Sequence, residues 1–282
     1  MPELPEVETV RAGLARAMTG RRLSHVTVRR PDLRFPFPRG FAKRLTGARV
    51  RAVRRRAKYL LADLDSDLVL IMHLGMSGRF TIFPPPVAKR PHAPGGGRHD
   101  HVVFDLENGA RIVYTDPRRF GLMDLSAAGA LERHKLFKNI GIEPLSAALN
   151  ADFIAAALNG RRTPLKAALL DQKIIAGIGN IYACEILHRA RLSPRRSSHT
   201  MRGQRAARLA AAVGPVLRAA IAAGGSTLRD YAQTDGSLGY FQHAFAVYDR
   251  EGLPCPAPGC AGRISRIVQA GRSTYFCARC QR

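Results

Sequence analysis

His101-Val102-Val103-Phe104-Asp105-Leu106, then Glu107-Asn108-Gly109, then Ala110-Arg111-Ile112-Val113-Tyr114: this stretch sets the architecture of the first half of the chain. Two runs rich in β-branched and aromatic residues flank an Asn-Gly pair. Such residues suit a pleated, half-buried surface, and Asn-Gly supplies the positive φ angles of a tight hairpin turn. The same alternation runs upstream, through Leu23 to Val28, Arg49 to Val53, Tyr59 to Leu64, Leu68 to Met72 and Arg79 to Phe83. Residues 5–18 break it, because Val7, Val10 and Leu14 fall at helical spacing. Residues 84–98 run from Pro84-Pro85-Pro86 to Gly95-Gly96-Gly97-Arg98, which excludes a helix or central strand and predicts a mobile loop. The first half therefore reads as antiparallel strands in two packed sheets, preceded by one helix.

Near residue 125 the strand signals stop. Ala, Leu and Ile now recur at helical spacing in Asp152 to Leu158, Leu165 to Asp171, Ile181 to His188 and Arg202 to Ala223, punctuated by Pro144, Pro164 and Pro194. A domain boundary is expected between about 130 and 150. Gly224-Gly225 ends the long helix, and residues 226–243 read as loop. The chain then closes on Cys255-Pro256-Ala257-Pro258-Gly259-Cys260, sixteen further residues, and Cys277-Ala278-Arg279-Cys280. Two cysteine pairs on two turns, separated by a strand-turn-strand segment, have the spacing of a tetrahedral thiolate cage for one zinc ion. Two disulfides are the competing reading, disfavoured without a secretory leader. A segment this short cannot build a core, so the metal itself would stabilise it. Cys184 falls on the apolar side of a helix and reads as a buried bystander.

Charge narrows the partner. The chain of 282 residues carries 45 Lys and Arg against 21 Asp and Glu, a formal net charge of +24. Such an excess predicts a polyanion. Between Arg29 and Lys58 stand twelve basic residues and one acid, Asp32, and Arg189 to Arg208 holds seven arginines and no acid. No acid follows Glu251. The other partner for such charge is a membrane surface. No apolar run approaches ~18 residues and no charged-then-apolar leader opens the chain, so a soluble, non-secreted protein is expected.

The opening residues, Met1-Pro2-Glu3-Leu4-Pro5-Glu6-Val7-Glu8, admit two readings. Pro and Glu ahead of an apolar face describe an ordinary capped helix start. With Met1 removed, Pro2 would also present a secondary amine, of pKa roughly 7.7–8.0 for an α-amino group, with Glu3 beside it to move protons. Attack on an aldehyde carbon then gives an iminium that is cationic without a further proton. Three short loops add to the second reading. His73 to Gly78 sets Met76 between glycines, and Asp116 to Gly121 presents Arg118 and Phe120. An arginine with two apolar wedges suits the gap left by a flipped-out nucleotide, although Met76 and Phe120 singly also fit a core. Gly177-Ile178-Gly179-Asn180-Ile181 opens a helix whose backbone N–H groups can bind phosphate.

Together these motifs resemble bacterial formamidopyrimidine-DNA glycosylase, a family of bifunctional repair enzymes for oxidised purines. The resemblance rests on Pro2 to Glu8, Arg56-Ala57-Lys58-Tyr59-Leu60, His73 to Gly78, His99-Asp100-His101, Tyr114 to Gly121, Gly177 to Tyr182 and the terminal cysteines, and it runs from residue 2 to about 281. It implies an α+β multidomain fold: a two-sheet β-sandwich with its N-terminal helix over 1–135, a helix-two-turn-helix domain over 136–244 and a zinc ribbon over 245–282. It implies that Pro2 attacks C1′, that Glu3 is the general acid on the sugar, that Lys58 donates a proton in β-elimination and that Arg272 serves δ-elimination. His99, Arg118 and Arg162 match DNA-contacting positions, and Lys166 and Asn180 phosphate-binding ones. Met76, Arg118 and Phe120 would fill the void, and residues 226–240 would form a loop over the extruded lesion. Cys255, Cys260, Cys277 and Cys280 would hold the zinc. A cytoplasmic, nucleoid-associated monomer acting on duplex DNA is implied. The chain departs from the family in the four residues between Cys255 and Cys260, where two are usual, and in Arg162, where Lys is frequent. The alternatives are an endonuclease VIII-like enzyme for oxidised pyrimidines, whose usual Pro-Glu-Gly-Pro-Glu opening Leu4 and Val7 contradict, and a non-catalytic zinc-ribbon DNA binder, which leaves Pro2-Glu3 and Lys58 unexplained. A proline-dependent tautomerase would have no use for the basic tail.

Overall fold

Helix α1 spans Leu4–Met18. Pro5 sits in its first turn, where no N–H is needed, and Glu3 and Glu6 close a capping box at its start. The computed structural model describes residues 1–85, 95–227 and 231–282. Of the loops expected over 84–98 and 226–240, residues 86–94 and 228–230 lie outside the described residues. The chain divides into two units, one of residues 1–138 with 224–240, the other of residues 139–223 with 241–282.

In the first unit, β1 (Leu23–Val28), β6 (Asp100–Leu106), β7 (Arg111–Thr115) and β5 (Arg79–Phe83) form one sheet in the order β1-β6-β7-β5. The other runs β2 (Val50–Arg56), β3 (Tyr59–Leu64), β4 (Leu68–His73) and β8 (Leu122–Ala127) in chain order. All pairings are antiparallel. Residues of both sheets, among them Leu60, Leu70, Phe80, Phe104 and Ile112, share one core with Val7, Val10, Leu14 and Met18 of α1. The two-sheet architecture read from the sequence is thus present, with three refinements. The β6–β7 loop is Glu107-Asn108-Gly109, closed by Gly109 N–H to Leu106 C=O at 2.9 Å, and only Gly109 has positive φ, so Asn-Gly acts within a three-residue loop. Strand β8 extends past the point where strand signals stop. Its Leu122-Met123-Asp124-Leu125 has no β-branched residue, and pairing with β4 (Leu70 opposite Leu125) overrides that weak preference. A short helix α2, Phe41–Leu45, buries Phe41 and Leu45 where only basic residues had drawn notice.

The second unit holds α3 (Ala151–Leu158), α4 (Leu165–Leu170), α5 (Asn180–Arg189) and α6 (Gln204–Ala222), each within two residues of its expected span. The Asn150 side chain caps α3 by accepting from Phe153 N–H at 2.9 Å. Their apolar faces form a second core around Tyr182, Ile186, Leu187, Leu209, Val213 and Leu217. Strands β9 (Ile264–Gln269) and β10 (Arg272–Cys277) make the terminal hairpin. Its two-residue turn, Ala270-Gly271, has positive φ at both positions, as the twist of a tight hairpin demands.

Residues 224–240 differ from the division at 136 and 244 read from the sequence. They pack with the first unit. Ser226 N–H donates to Glu6 Oε1 at 2.8 Å, Ile82 N–H donates to Thr234 C=O at 2.8 Å, and Gly13 lies so close to the Thr234 side chain that a Cβ there would collide with it. Periodicity reports a segment's own conformation, not which neighbour it returns to, so this assignment left no mark in the sequence pattern.

Candidate active site and metal centre

The amino-terminal site begins with a buried Pro2 ahead of the N-cap residue Glu3. Glu6, itself buried, spends one carboxylate oxygen on the Glu3 N–H at 2.8 Å and the other on Ser226 N–H. One carboxylate thus fixes the backbone of the first residues and the base of the 224–240 segment together. At the other end of that segment, Gly239 N–H donates to Thr227 Oγ1 at 2.8 Å and Ser226 bridges to Tyr240, which closes the segment on itself.

Lys58 stands at the tip of the β2–β3 hairpin, where Arg56 pairs with Tyr59 and Ala57 takes φ +53°. An alanine in that left-handed region is strained by about 1–2 kcal/mol, strain of the kind that accumulates at functional sites. Lys58 is only 6% exposed. Arg55 holds this turn to α1: its Nε donates to Glu8 Oε2 at 2.9 Å and its Nη1 to the Ala57 carbonyl at 2.8 Å. Arg55 carries no sequence signature apart from the general charge pattern, Glu6 and Glu8 stand within the opening motif on which the resemblance rests, and sequence reasoning gave none of the three a role.

His73 ends β4 beside this turn. Its ring packs on Tyr59 with centroids 4.9 Å apart, and Nδ1 accepts from Gly75 N–H at 3.0 Å. Burial, with Lys58 and Arg34 nearby, pushes the imidazole down to about 4, so it is neutral at ordinary pH. In the unfolded chain it would titrate near 6.5. Protonation therefore favours the unfolded state. Full stability is present above pH ~6.5, and up to about 3 kcal/mol is lost as pH falls through the window to about 4. Urea unfolding of wild type and His73→Gln across pH 4–7 checks this; the variant should show the shallower pH slope.

The two wedge loops are built as one object. Ser77 Oγ donates to Asp116 Oδ1 at 2.6 Å and accepts from Arg118 N–H at 3.1 Å. Asp116, fully buried, also accepts from Tyr114 OH at 3.2 Å and Gly121 N–H at 2.8 Å. His99 joins through its carbonyl, which accepts from Asp116 N–H at 3.0 Å. Gly75 abuts the Phe120–Gly121 backbone and Gly78 the Leu74 carbonyl and Tyr114 hydroxyl, contacts that any Cβ would block. What this scaffold presents is Arg118, its guanidinium 4.8 Å over the Phe120 ring, with Phe120 46% exposed and Met76 half-buried. Met76, Arg118 and Phe120 are thus carried on one braced pair of loops, to which His99, just ahead of β6, is tied through its backbone. Asp116 and Ser77, which brace them, were not singled out from sequence.

In the second unit Lys166, Asn180 and Arg272 converge on β10. Lys166 is 1% exposed, and its ammonium donates to Ser273 C=O at 2.9 Å and Thr274 Oγ1 at 2.6 Å. Asn180 Nδ2 donates to the same carbonyl at 3.0 Å. Both side chains grip the strand residue next to Arg272, which is itself exposed at the hairpin turn. Asn180 Oδ1 is buried without a hydrogen-bond partner. Arg162 stands exposed in the segment before α4. Glu185 of α5 accepts from the N–H groups of Ala246, Val247 and Tyr248 at 2.8–3.0 Å, fixing the strand of chain that enters the ribbon.

The four terminal cysteine sulfurs lie within 4.8 Å of one another, with Cys255–Cys280 and Cys260–Cys277 each at 3.7 Å. A disulfide would place them at about 2.05 Å. A tetrahedral zinc ion with arms of about 2.3 Å has sulfur–sulfur edges of about 3.8 Å, so the cage fits the ion. The longer interval between Cys255 and Cys260 is taken up by a turn in which Cys260 N–H donates to Ala257 C=O at 3.0 Å. His188 Nε2 lies 3.4 Å from Cys255 Sγ, placed to steady that ligand.

Comparison with known proteins agrees with this arrangement. Three family models match in succession: the formamidopyrimidine-DNA glycosylase N-terminal domain over residues 1–123, the formamidopyrimidine-DNA glycosylase H2TH domain over 140–232, and the zinc finger found in FPG and IleRS over 252–282. The formamidopyrimidine-DNA glycosylase of Beijerinckia indica is 59% identical over 288 residues, covering 100% of both chains, and that of Ruegeria pomeroyi 55% identical over 283 residues, again covering 100% of both. The crystal structure of MutM (Fpg) from Thermus thermophilus is similar with a TM-score of 0.84 and 42% identity, covering 99% of this chain and 98% of that one. A Lactococcus lactis Fpg mutant in complex with a Fapy-dG containing DNA is similar with a TM-score of 0.88 and 31% identity, covering 100% of both chains.

Proposed function

Because this chain belongs to the formamidopyrimidine-DNA glycosylase family, we propose how its own residues carry out excision of oxidised purines from duplex DNA and cleavage of the abasic site that results. The Pro2 nitrogen, freed of Met1, adds to C1′ of the damaged nucleotide as the bond from C1′ to the base breaks; Glu3 protonates the sugar oxygen as the ring opens. The product is an iminium joining protein and DNA, which lowers the barrier to loss of the C2′ proton and departure of the 3′ phosphate. Lys58, at its strained turn, supplies a proton in this β-elimination. Arg272 holds the phosphate that leaves in the second elimination. Met76, Arg118 and Phe120 occupy the gap, Arg118 faces the orphaned base, and His99, Arg162, Lys166 and Asn180 belong to the DNA-contacting surface, Lys166 and Asn180 by fixing the strand that carries Arg272. The zinc held by Cys255, Cys260, Cys277 and Cys280 keeps that ribbon folded. The enzyme works as a monomer on chromosomal DNA in the bacterial cytoplasm. No helix among the described residues is long and apolar enough to cross a membrane.

The observation that supports this reading best is Arg55, which ties the helix headed by Pro2 to the turn that carries Lys58 through hydrogen bonds of 2.9 and 2.8 Å. A nucleophile and a proton donor for one reaction need such mutual fixing. The test is cleavage of defined duplexes containing 8-oxoguanine, a formamidopyrimidine or thymine glycol, with analysis of the product ends. Both purine lesions should be cut to leave phosphate on each side of a one-nucleotide gap. Preference for thymine glycol would transfer the chain to the pyrimidine-specific reading, and binding without cleavage would reduce it to a DNA binder.

A further inference from the structure

The basic stretch from Arg29 to Lys58 contains a feature that the reaction described above does not use. Residues 30–37 form a tight turn in which Leu33 N–H donates to Phe35 C=O at 3.1 Å, Phe37 N–H donates to Pro31 C=O at 3.1 Å, and Asp32 bridges to Pro36. Leu33 and Phe37 pack into the first core, Phe37 with its ring 5.0 Å from that of Phe41. Phe35, between them, points the other way and is 49% exposed. Its own neighbour covers it in part, with the Arg34 guanidinium carbon 5.5 Å from the ring centroid.

This turn is fastened to the wedge loop. Arg34 N–H donates to Gly121 C=O at 3.0 Å, and Arg119 Nη1 lies 3.7 Å from Asp32 Oδ1. Asp32, the one acid of the basic stretch, is also held by Arg30 Nε at 3.0 Å, so two arginines neutralise it. Arg34 is in addition near enough to His73 to help hold that ring neutral. Two exposed phenylalanines, each stacked with an arginine, therefore project from two segments joined by a backbone hydrogen bond. An arginine over an exposed ring is the combination that receives an unstacked base on its π-face while meeting a phosphate with its charge.

We propose that Arg34 and Phe35 form a second base-contacting pair, which stacks on a nucleotide flanking the gap occupied by Arg118 and Phe120 and so helps set the preference for damaged over intact duplex. The proposal rests on the DNA-repair reading given above. Intact duplex offers the ring no unstacked base. Loss of Phe35 should then weaken binding to damaged DNA selectively, and loss of Arg34 should remove one phosphate contact from either kind of DNA.

The test is equilibrium binding to two duplexes of one sequence, one intact and one carrying an uncleavable tetrahydrofuran abasic analogue, over a range of salt. Wild type should prefer the abasic duplex. Phe35→Ala and Phe35→Leu should each lose about ten-fold affinity for it and less than about two-fold for intact duplex, and Phe35→Trp should stay within about two-fold of wild type on both. Arg34→Gln should lower the salt slope by about one. Phe35→Ala binding both duplexes as wild type does would overturn the proposal. So would full retention by Phe35→Leu, because bulk rather than a π-face would then suffice. If wild type itself shows no preference for the abasic duplex, the repair reading fails instead.

Discussion

Pro2→Gly should lower the rate of borohydride-trapped protein–DNA adduct formation on abasic duplex by at least about a thousandfold, equivalent to ~4 kcal/mol of barrier. Protein that keeps Met1 should give none. The reasoning is chemical before it is structural. Pro2 as a free terminus is a secondary amine whose adduct with an aldehyde is cationic at once, whereas glycine gives an imine that must first gain a proton. In a chain that keeps Met1 the Pro2 nitrogen belongs to an amide, with no lone pair to offer. Structure adds direction. The pyrrolidine ring and the Glu3–Glu6 capping box fix where that nitrogen points, and glycine loosens the first of these. Gel analysis of trapped complexes, followed by mass spectrometry of the linked peptide, measures the effect. Equal trapping by Met1-bearing and trimmed protein would move the nucleophile to another amine.

Chelation of the zinc, or Cys277→Ser, should cost at least about a hundredfold in DNA affinity while the first unit stays folded. The ribbon's own core holds Val247, Ile264 and Tyr275 with Cys184 and two of the metal-binding cysteines, too little apolar surface to fold unaided. Structural zinc contributes about 10–16 kcal/mol in small cages of this kind. When β10 is lost, the Lys166 ammonium loses the acceptors Ser273 C=O and Thr274 Oγ1, and Asn180 loses Ser273 C=O. A buried ammonium deprived of partners is costly, so the disturbance should reach α4 and α5. Hydrogen exchange provides the readout: amides of β9 and β10 should lose protection first and α4 next, with β1 to β8 unchanged. Undiminished affinity after complete metal removal would deny the ribbon a part in binding.

How much of this could be read in the amino-acid sequence follows from what each kind of signal reports. Period-two and period-3.6 patterns placed β1 to β7, α1 and α3 to α6, because burial of one face dictates residue type along the element itself. Strand β8 escaped because its neighbour β4 supplies the burial that its own residues do not advertise. The four cysteines were legible because metal geometry constrains their spacing directly. Arg55, Asp116 and Glu185 were not. Each works by hydrogen bonds across dozens of residues, or to backbone groups, and any basic or acidic residue in a charged stretch looks the same from sequence alone. Lys166 is a further case: the resemblance gives it as a phosphate-binding position, and the contacts that hold its ammonium on Ser273 C=O and Thr274 Oγ1 left no mark in the sequence.

The first unit is interrupted in the chain: it is left at residue 138, re-entered at 224 and left again at 240. On the ribosome, the donor that Ser226 supplies to Glu6 is therefore made long after Glu6 itself, later by on the order of ten seconds at about 5–20 residues per second. Throughout that interval the nascent amino terminus exists without the segment that later fastens to it. The order of translation thus fixes when the buried Glu6 carboxylate gains its second backbone donor.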